Sequence, residues 1–175
     1  RRIAAPGPPV HYDAHVLRPH SLPHAESAGH VVPGGASLDR WFGAASSPFV
    51  GPARVVRPSP AAWTEHVVAG RHVIHAAVDA ASLRAALAAD GLDAPPARLL
   101  LDVARPDGVP DGSEVAFTLA PDAAAWLVRP GNLLLFGTRF RSTDFQPGLR
   151  ERPIHRALFD AGAAILECLD LAPVP

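Results

Sequence analysis

The sequence predicts an α/β fold, because segments of helical composition alternate with apolar runs that are typical of buried strands. The clearest strands are residues 97–103 (ARLLLDV), which form a mostly continuous apolar run, and 133–137 (LLLFG). The clearest helix is 80–90, which is rich in Ala and Leu and is followed by Gly91. A chain of 175 residues has the length of one domain with one core, so we expect a single domain over 1–175.

The remaining N-terminal elements follow from shorter patterns. Val10, Tyr12 and Val16 alternate with other residues and predict a short strand. Residues 53–57 (ARVVR) predict another. Ser37 precedes an apolar pattern and is expected to begin a short helix.

Two further helices are predicted in the C-terminal half. Residues 121–129 begin with Pro and Asp, which suit the first turn of a helix. Pro153 is expected to start another helix, with Ile154 and Leu158 on its apolar face. Gly162 is expected to end that helix, because glycine readily adopts the conformation found after a helix C-terminus.

Composition excludes several classes of protein. The formal net charge is −1, and no basic stripe or nucleic-acid motif is present, so we expect no nucleic-acid partner. No apolar run reaches the roughly 20 residues that span a bilayer, so no membrane association is expected. The single cysteine, Cys168, excludes an internal disulfide. Because no signal-peptide pattern is seen either, we expect a cytoplasmic protein.

The segment with the most chemical information reads His20-Ser-Leu-Pro-His24-Ala-Glu26-Ser-Ala-Gly-His30. Two imidazoles and a carboxylate supply the nitrogen and oxygen ligands that suit Zn²⁺ or Mn²⁺. Three protein ligands leave a coordination position open for water, as a catalytic ion requires. His30 is then suited to move a proton as the acid/base residue.

Regular secondary structure does not bring these four residues together. In a flat strand, His20 and His30 would lie about 33 Å apart. In a helix, Glu26 would face away from His24, and Pro23 is a poor interior residue. A loop shaped by proline and glycine can converge them. The alternative interpretation is a solvent-exposed, His-rich loop that binds no ion.

The segment from His20 to Asp39, HSLPHAESAGHVVPGGASLD, resembles the metal-binding signature of the kynurenine formamidase (arylformamidase) or cyclase family of metal-dependent hydrolases. That signature is H-x-G-T-H-x-D-x-P-x-H, often followed by Pro-Gly-Gly. Residues 51–57, 133–144 and 154–171 resemble three further segments of the family in the same order. The resemblance therefore covers most of the chain.

The resemblance implies an α/β domain around a mixed, barrel-like β-sheet flanked by helices, usually assembled as a homodimer or higher homo-oligomer. It implies one or two Zn²⁺ or Mn²⁺ ions and a small-molecule substrate. The implied reaction is metal-assisted hydrolysis of an amide, such as an N-formyl group on an aromatic amine in tryptophan catabolism. The implied site residues are metal ligands His20, His24, Glu26, His155 and Glu167, catalytic His30, and the substrate-binding or supporting residues Arg139, Ser142 and Asp144.

The sequence also departs from the family pattern. Glu26 replaces the usual Asp, Leu22-Pro23 replaces Gly-Thr, and Arg139 stands where Asp is frequent. The arginine adds a cation near the expected site and suggests an acidic substrate. Family members usually extend beyond the position of Pro175, so either a terminal segment is missing from the sequence or the protein is a short variant.

These departures leave two alternatives to amide hydrolysis. The same metal site could serve ring opening, dehydration or cyclisation of another substrate, or the chain could be a non-catalytic binding member of the fold.

The C-terminal pair of implied ligands sets a condition on the fold. His155 and Glu167 would lie about 18 Å apart in a continuous helix. If both belong to the site, the helix must end near Gly162 and the chain must turn back. Because His155 lies near a helix N-terminus, we also expect its imidazole to be neutral.

Overall fold

The computed structural model describes residues 2–3, 12–13, 20, 22–42, 47–60, 62–103, 109, 113–144 and 151–174. The predicted α/β class is confirmed. The strands are β1 (Arg2–Ile3), β2 (Tyr12–Asp13), β3 (His24–Glu26), β4 (Arg54–Val56), β5 (Ala62–Val68), β6 (Arg71–Val78), β7 (Arg98–Leu101), β8 (Glu114–Leu119), β9 (Leu135–Thr138) and β10 (Ala164–Glu167). The helices are α1 (Ala80–Ala89), α2 (Pro121–Val128) and α3 (Pro153–Asp160).

The largest sheet has five strands in the spatial order β3-β10-β9-β7-β4. Strands β10, β9, β7 and β4 are parallel, and β3 joins β10 in antiparallel orientation at one edge. The three predicted strands at 53–57, 97–103 and 133–137 correspond to β4, β7 and β9, so those predictions are confirmed.

A second sheet of three strands, β5-β6-β8, was not predicted. Strands β5 and β6 form an antiparallel hairpin whose turn contains Ala69 and Gly70, both with positive φ. This combination is typical of a tight hairpin turn. The third strand, β8, pairs with β6 in parallel. At the N-terminus, β1 pairs with β2, which contains Tyr12; Val10 and Val16 of the predicted strand lie outside the described residues.

The predicted helices at 80–90, at 121–129 and from Pro153 are confirmed as α1, α2 and α3, with ends within a few residues of those expected. Asp79 caps α1 by accepting a hydrogen bond from the backbone N–H of Ser82 at 2.7 Å. Helix α3 ends at Asp160, and Gly162 follows with φ of 81°, so the chain turns back and enters β10. The segment after Ser37 forms a 3₁₀-helix, Leu38–Trp41, and the Ser37 side chain does not cap it.

The hydrophobic core lies between the helices and the two sheets. Its largest fully buried side chains include Phe117 of β8, Phe136 of β9 and Leu83 of α1. This packing fixes β9 and β10, and β10 in turn positions the edge strand β3. Within the described part of the chain, no helix is long and apolar enough to cross a membrane.

Candidate metal centre

The edge strand β3 presents two of the predicted ligands on one face. His24 and Glu26 are two residues apart in a strand, so their side chains point to the same side of the sheet. The antiparallel register pairs His24 directly with Glu167 of β10. The expectation that the whole His-rich segment is a loop was therefore wrong for residues 24–26, because β10 offers a free edge with which they pair.

Three donor atoms form a small triangle. His20 Nδ1 lies 3.0 Å from His24 Nε2 and 3.2 Å from Glu26 Oε1, and His24 Nε2 lies 3.3 Å from Glu26 Oε1. Ligands bound at about 2.0–2.1 Å from one ion are separated from each other by about 3.0–3.4 Å. The three distances thus match the spacing of ligands around a single divalent cation.

Glu167 completes the candidate metal centre, which we define as His20, His24, Glu26 and Glu167. One ligand atom from each residue lies within 4.8 Å of the others. Glu167 Oε2 is 3.8 Å from His24 Nε2, so it is the most distant member. Two imidazoles and two carboxylates are a donor set suited to Zn²⁺ or Mn²⁺.

The orientation of His24 is fixed by the backbone. Its Nδ1 lies 2.8 Å from the carbonyl oxygen of Leu22, to which it donates a hydrogen bond. This leaves Nε2, which faces His20 and Glu26, as the ring nitrogen that can bind a cation. A hydrogen bond from the second ring nitrogen to a carbonyl is typical of metal-ligating histidines.

The carboxylates of the candidate metal centre are deeply buried. Glu26 is 4% exposed and Glu167 is 1% exposed. Glu26 Oε2 lies 3.0 Å from His155 Nε2 but has no hydrogen bond of normal geometry. Buried charges are stable when they are paired or when they coordinate metal ions. The residues therefore fit a divalent cation, which would offset the charge that the histidines leave unbalanced.

His155 contacts the two carboxylates of the centre and is not one of the grouped donor residues. Its Nε2 lies 3.0 Å from Glu26 Oε2 and 3.3 Å from Glu167 Oε1. On the other side of the ring, Nδ1 donates to Asp144 Oδ2 at 2.7 Å and lies 3.0 Å from Thr143 Oγ1. Asp144 also accepts the backbone N–H groups of Ile154 and His155 at the start of α3. The predicted supporting residue Asp144 thus positions His155.

These contacts shift the pKa values of both partners. Burial by itself lowers the pKa of His155, but its close contacts with the carboxylates of Asp144, Glu167 and Glu26 outweigh burial and raise it to about 10. Burial would likewise raise the pKa of Glu26, yet His155, with His30 and His24, lowers it to about 2. The expectation of a neutral His155 was therefore wrong for the metal-free protein, because three carboxylates outweigh the helix N-terminus.

His30 reaches the same centre from a separate turn. It ends the 3₁₀-helix Ala28–His30, and its Nε2 lies 3.5 Å from Glu26 Oε1. Two glycines hold this turn: Gly29 N donates to Ala36 O at 2.9 Å, and Gly35 packs against the backbone of residues 28–29. The His30 side chain is 41% exposed, so it is accessible to a substrate.

A cavity of about 380 Å³ opens at this point. It is lined by the residues of the centre and its neighbours, His20, Glu26, His30, His155 and Glu167, and also by Glu114, Arg141, Ser142 and Arg152. The predicted residue Ser142 thus lies at the cavity. Arg139 is placed elsewhere: its Nη1 is 3.3 Å from Asp102 Oδ1, and its guanidinium lies over the Phe140 ring. Arg141 and Arg152 were not predicted: Arg141 lies within the resembling segment 133–144 but was not singled out there, and Arg152 lies outside the resembling segments.

No protein-family model matches this sequence, and no curated protein matches it. Among solved structures, an isatin hydrolase bound to the product analogue thioisatinate is similar, with a TM-score of 0.65 and 17% identity over 99% of this chain and 70% of that chain. Isatin hydrolase A from Labrenzia aggregata bound to benzyl benzoate has a TM-score of 0.62 and 19% identity over 100% of this chain and 71% of that chain.

A third similar structure is described as a potential metal-dependent hydrolase with cyclase activity. It has a TM-score of 0.53 and 19% identity, and the match covers 91% of this chain and 67% of that chain. At such identities the similarity establishes the fold. The chain has the α/β fold of these cyclase-type and isatin hydrolase structures, and this is the part of the family resemblance that they support.

Proposed function

We propose that this protein is a metal-dependent hydrolase of an amide bond, in which His20, His24 and Glu26 hold a divalent cation beside Glu167. The observation that carries the proposal is the triangle of donor atoms with sides of 3.0, 3.2 and 3.3 Å. The similarity to metal-dependent and isatin hydrolases supports it at the level of fold. A divalent cation held there supplies Lewis-acid activation of water and of a carbonyl group.

The remaining residues have separate tasks. His30 is exposed to the cavity and close to Glu26, so it is placed to carry a proton to the leaving nitrogen. His155 and Asp144 keep the Glu26 carboxylate ionised and in place. Because Glu26 then remains a carboxylate across the neutral pH range, it retains the form in which it binds a cation.

The first experiment measures metal content and turnover in parallel. The protein is purified without chelator, loaded with Mn²⁺ or Zn²⁺, and assayed on N-formyl aromatic amines. His30→Ala should keep its metal content and lose about two to four decades in turnover. His72→Ala is the matched control, because His72 is exposed on β6. Metal-loaded protein that hydrolyses no amide would contradict the proposed reaction.

Ring-opening hydrolysis of a cyclic amide is a second candidate, and the similarity to isatin hydrolases favours it. Isatin contains an amide within a five-membered ring, so the same bond type is broken. Measuring isatin beside an N-formyl aromatic amine separates the two candidates: the preferred substrate has the higher kcat/KM. Protein that takes up neither Mn²⁺ nor Zn²⁺ would instead support a non-catalytic binding role.

A further inference from the structure

Two arginines share the cavity with the candidate metal centre. Arg141 follows β9 by a few residues, and Arg152 immediately precedes α3. Both line the same 380 Å³ space as Glu26, Glu167 and His30. A molecule that places a reacting group at the metal centre would therefore share the cavity with both guanidinium groups.

Arg152 is held in position by neutral acceptors. Its Nη1 donates to Ser142 Oγ at 3.0 Å and to the carbonyl oxygen of Asp144 at 3.4 Å. Within the described part of the chain, no carboxylate lies within ion-pair distance of Arg152, whereas Arg57, Arg71, Arg139 and Arg141 each have one. The half-buried guanidinium of Arg152 is thus held in place by neutral groups. Among the residues that the structure describes, no carboxylate pairs with its charge.

The acidic residues at the cavity do not cancel this charge. Glu114 is bound by Arg71 at 2.8 Å and lies 3.8 Å from Arg141, so two guanidinium groups share one carboxylate. Glu26 and Glu167 face His155 and the site of the cation. With the cation bound, the cavity has surplus positive charge on the side of Arg152.

We infer that the substrate carries a carboxylate near the bond that is hydrolysed, and that Arg152, assisted by Arg141, binds this carboxylate. The inference rests on the proposed function and names its substrate class. A guanidinium binds a carboxylate through two parallel N–H donors, which also fixes orientation. The sequence suggested that Arg139 favours an acidic substrate. Because Arg139 is paired with Asp102, we assign the binding of the acidic group to Arg152 and Arg141 instead.

Direct binding tests the inference without turnover. Calorimetry of the metal-loaded protein compares 2-aminobenzoate with 2-aminobenzamide, a neutral molecule of nearly the same shape. Arg152→Gln should weaken 2-aminobenzoate binding about 10- to 100-fold and affect the amide much less. Arg152→Lys should retain part of the affinity, and Arg129→Gln, an exposed residue beyond α2, should retain all of it.

The same titration of chelator-treated protein identifies the source of binding. If the carboxylate binds to arginine, the affinity for 2-aminobenzoate should still differ between wild-type protein and Arg152→Gln when the ion is absent. Binding that disappears with the ion and is unchanged in Arg152→Gln would show that the carboxylate coordinates the metal only, and would overturn the inference.

Kinetics separate this inference from the proposed function. The ratio of kcat/KM for N-formyl-2-aminobenzoate over N-formyl-2-aminobenzamide should fall at least about 10-fold in Arg152→Gln, mainly through KM. A merely structural role would lower both values together and leave the ratio unchanged, which would overturn the inference. If Arg152-dependent binding occurs but no amide is hydrolysed, the proposed function fails and the carboxylate site stands.

Discussion

Replacing Asp144 with Asn changes one atom of the polar network beneath the candidate metal centre. Asp144 Oδ1 accepts the backbone N–H of Ile154 at 3.0 Å, and Oδ2 accepts the backbone N–H and ring Nδ1 of His155 at 2.8 and 2.7 Å. The carboxylate is fully buried, with a side-chain exposure of 0%. Water therefore cannot replace a lost hydrogen bond, and the substitution should act at full strength.

The expected loss of stability follows from these three hydrogen bonds. An asparagine amide points its NH₂ group at one of the two oxygen positions, so at least one N–H donor loses its acceptor in either orientation. An unsatisfied buried donor costs about 1–3 kcal/mol, and the remaining bonds weaken because their acceptor is neutral. We expect Asp144→Asn to lower the free energy of unfolding by about 2–5 kcal/mol and the metal affinity by about 10- to 100-fold.

Urea denaturation at pH 7 measures the first effect, and competition with a chelator of known affinity measures the second. Asp102→Asn is the matched control, because Asp102 pairs with exposed Arg57 and Arg139 instead. That variant should lose about 1 kcal/mol or less and keep its metal affinity. If Asp144→Asn were as stable as Asp102→Asn and bound the ion equally well, the positioning role of Asp144 would be refuted.

Three other perturbations have defined outcomes. Gly35→Ala places a Cβ 2.6 Å from the Ala28 carbonyl carbon, so the turn that carries His30 must shift. The free energy of unfolding should fall by about 1–3 kcal/mol and turnover should decrease. Wild-type values in both assays would contradict this prediction. His24→Ala should abolish metal binding while leaving the circular dichroism spectrum unchanged; full metal occupancy would contradict the ligand assignment. In metal-free protein the raised pKa of His155 gives stability that is complete below pH 6.5 and is lost as pH rises towards 10, while the lowered pKa of Glu26 gives stability that is lost as pH falls from 4.5 towards 2. Unfolding free energies measured with chelator present should therefore be highest between pH 4.5 and 6.5, and a maximum above pH 8 would contradict these shifts.

The two central strands were predictable because their sequences are rich in apolar residues. Residues 97–103 and 133–137 are mostly apolar because β7 and β9 lie inside the five-stranded sheet: β9 is buried at all four residues, and β7 alternates buried with half-buried residues. The end of α3 was predictable because Gly162 takes a positive φ that other residues rarely adopt. In each case a local property of the chain determines the outcome.

The hairpin of β5 and β6 has no such local signature. Its strands mix His, Thr and Glu with apolar residues because the sheet is partly exposed, and Val67 in β5 is 68% exposed. Strand β8 becomes a strand by pairing with β6 across a long stretch of sequence. Such pairing depends on tertiary contacts, which periodicity in a single segment does not report.

At the candidate metal centre, the residue types were predictable but their charge partners were not. The motif from His20 to His30 identifies the donors by spacing. The pairing of Arg139 with Asp102, 37 residues away, and the position of Arg152 beside Ser142 follow from folding alone. The predicted homo-oligomer and cytoplasmic location stay predictions.

Anomalous scattering from crystals loaded with Mn²⁺ or Zn²⁺ tests the central claim most directly, because it fixes the identity, number and ligands of bound ions together. We expect a peak in contact with His20 Nδ1, His24 Nε2 and Glu26 Oε1, next to Glu167. Loaded crystals without a peak at these three atoms, or with the ion bound only elsewhere, would contradict the account.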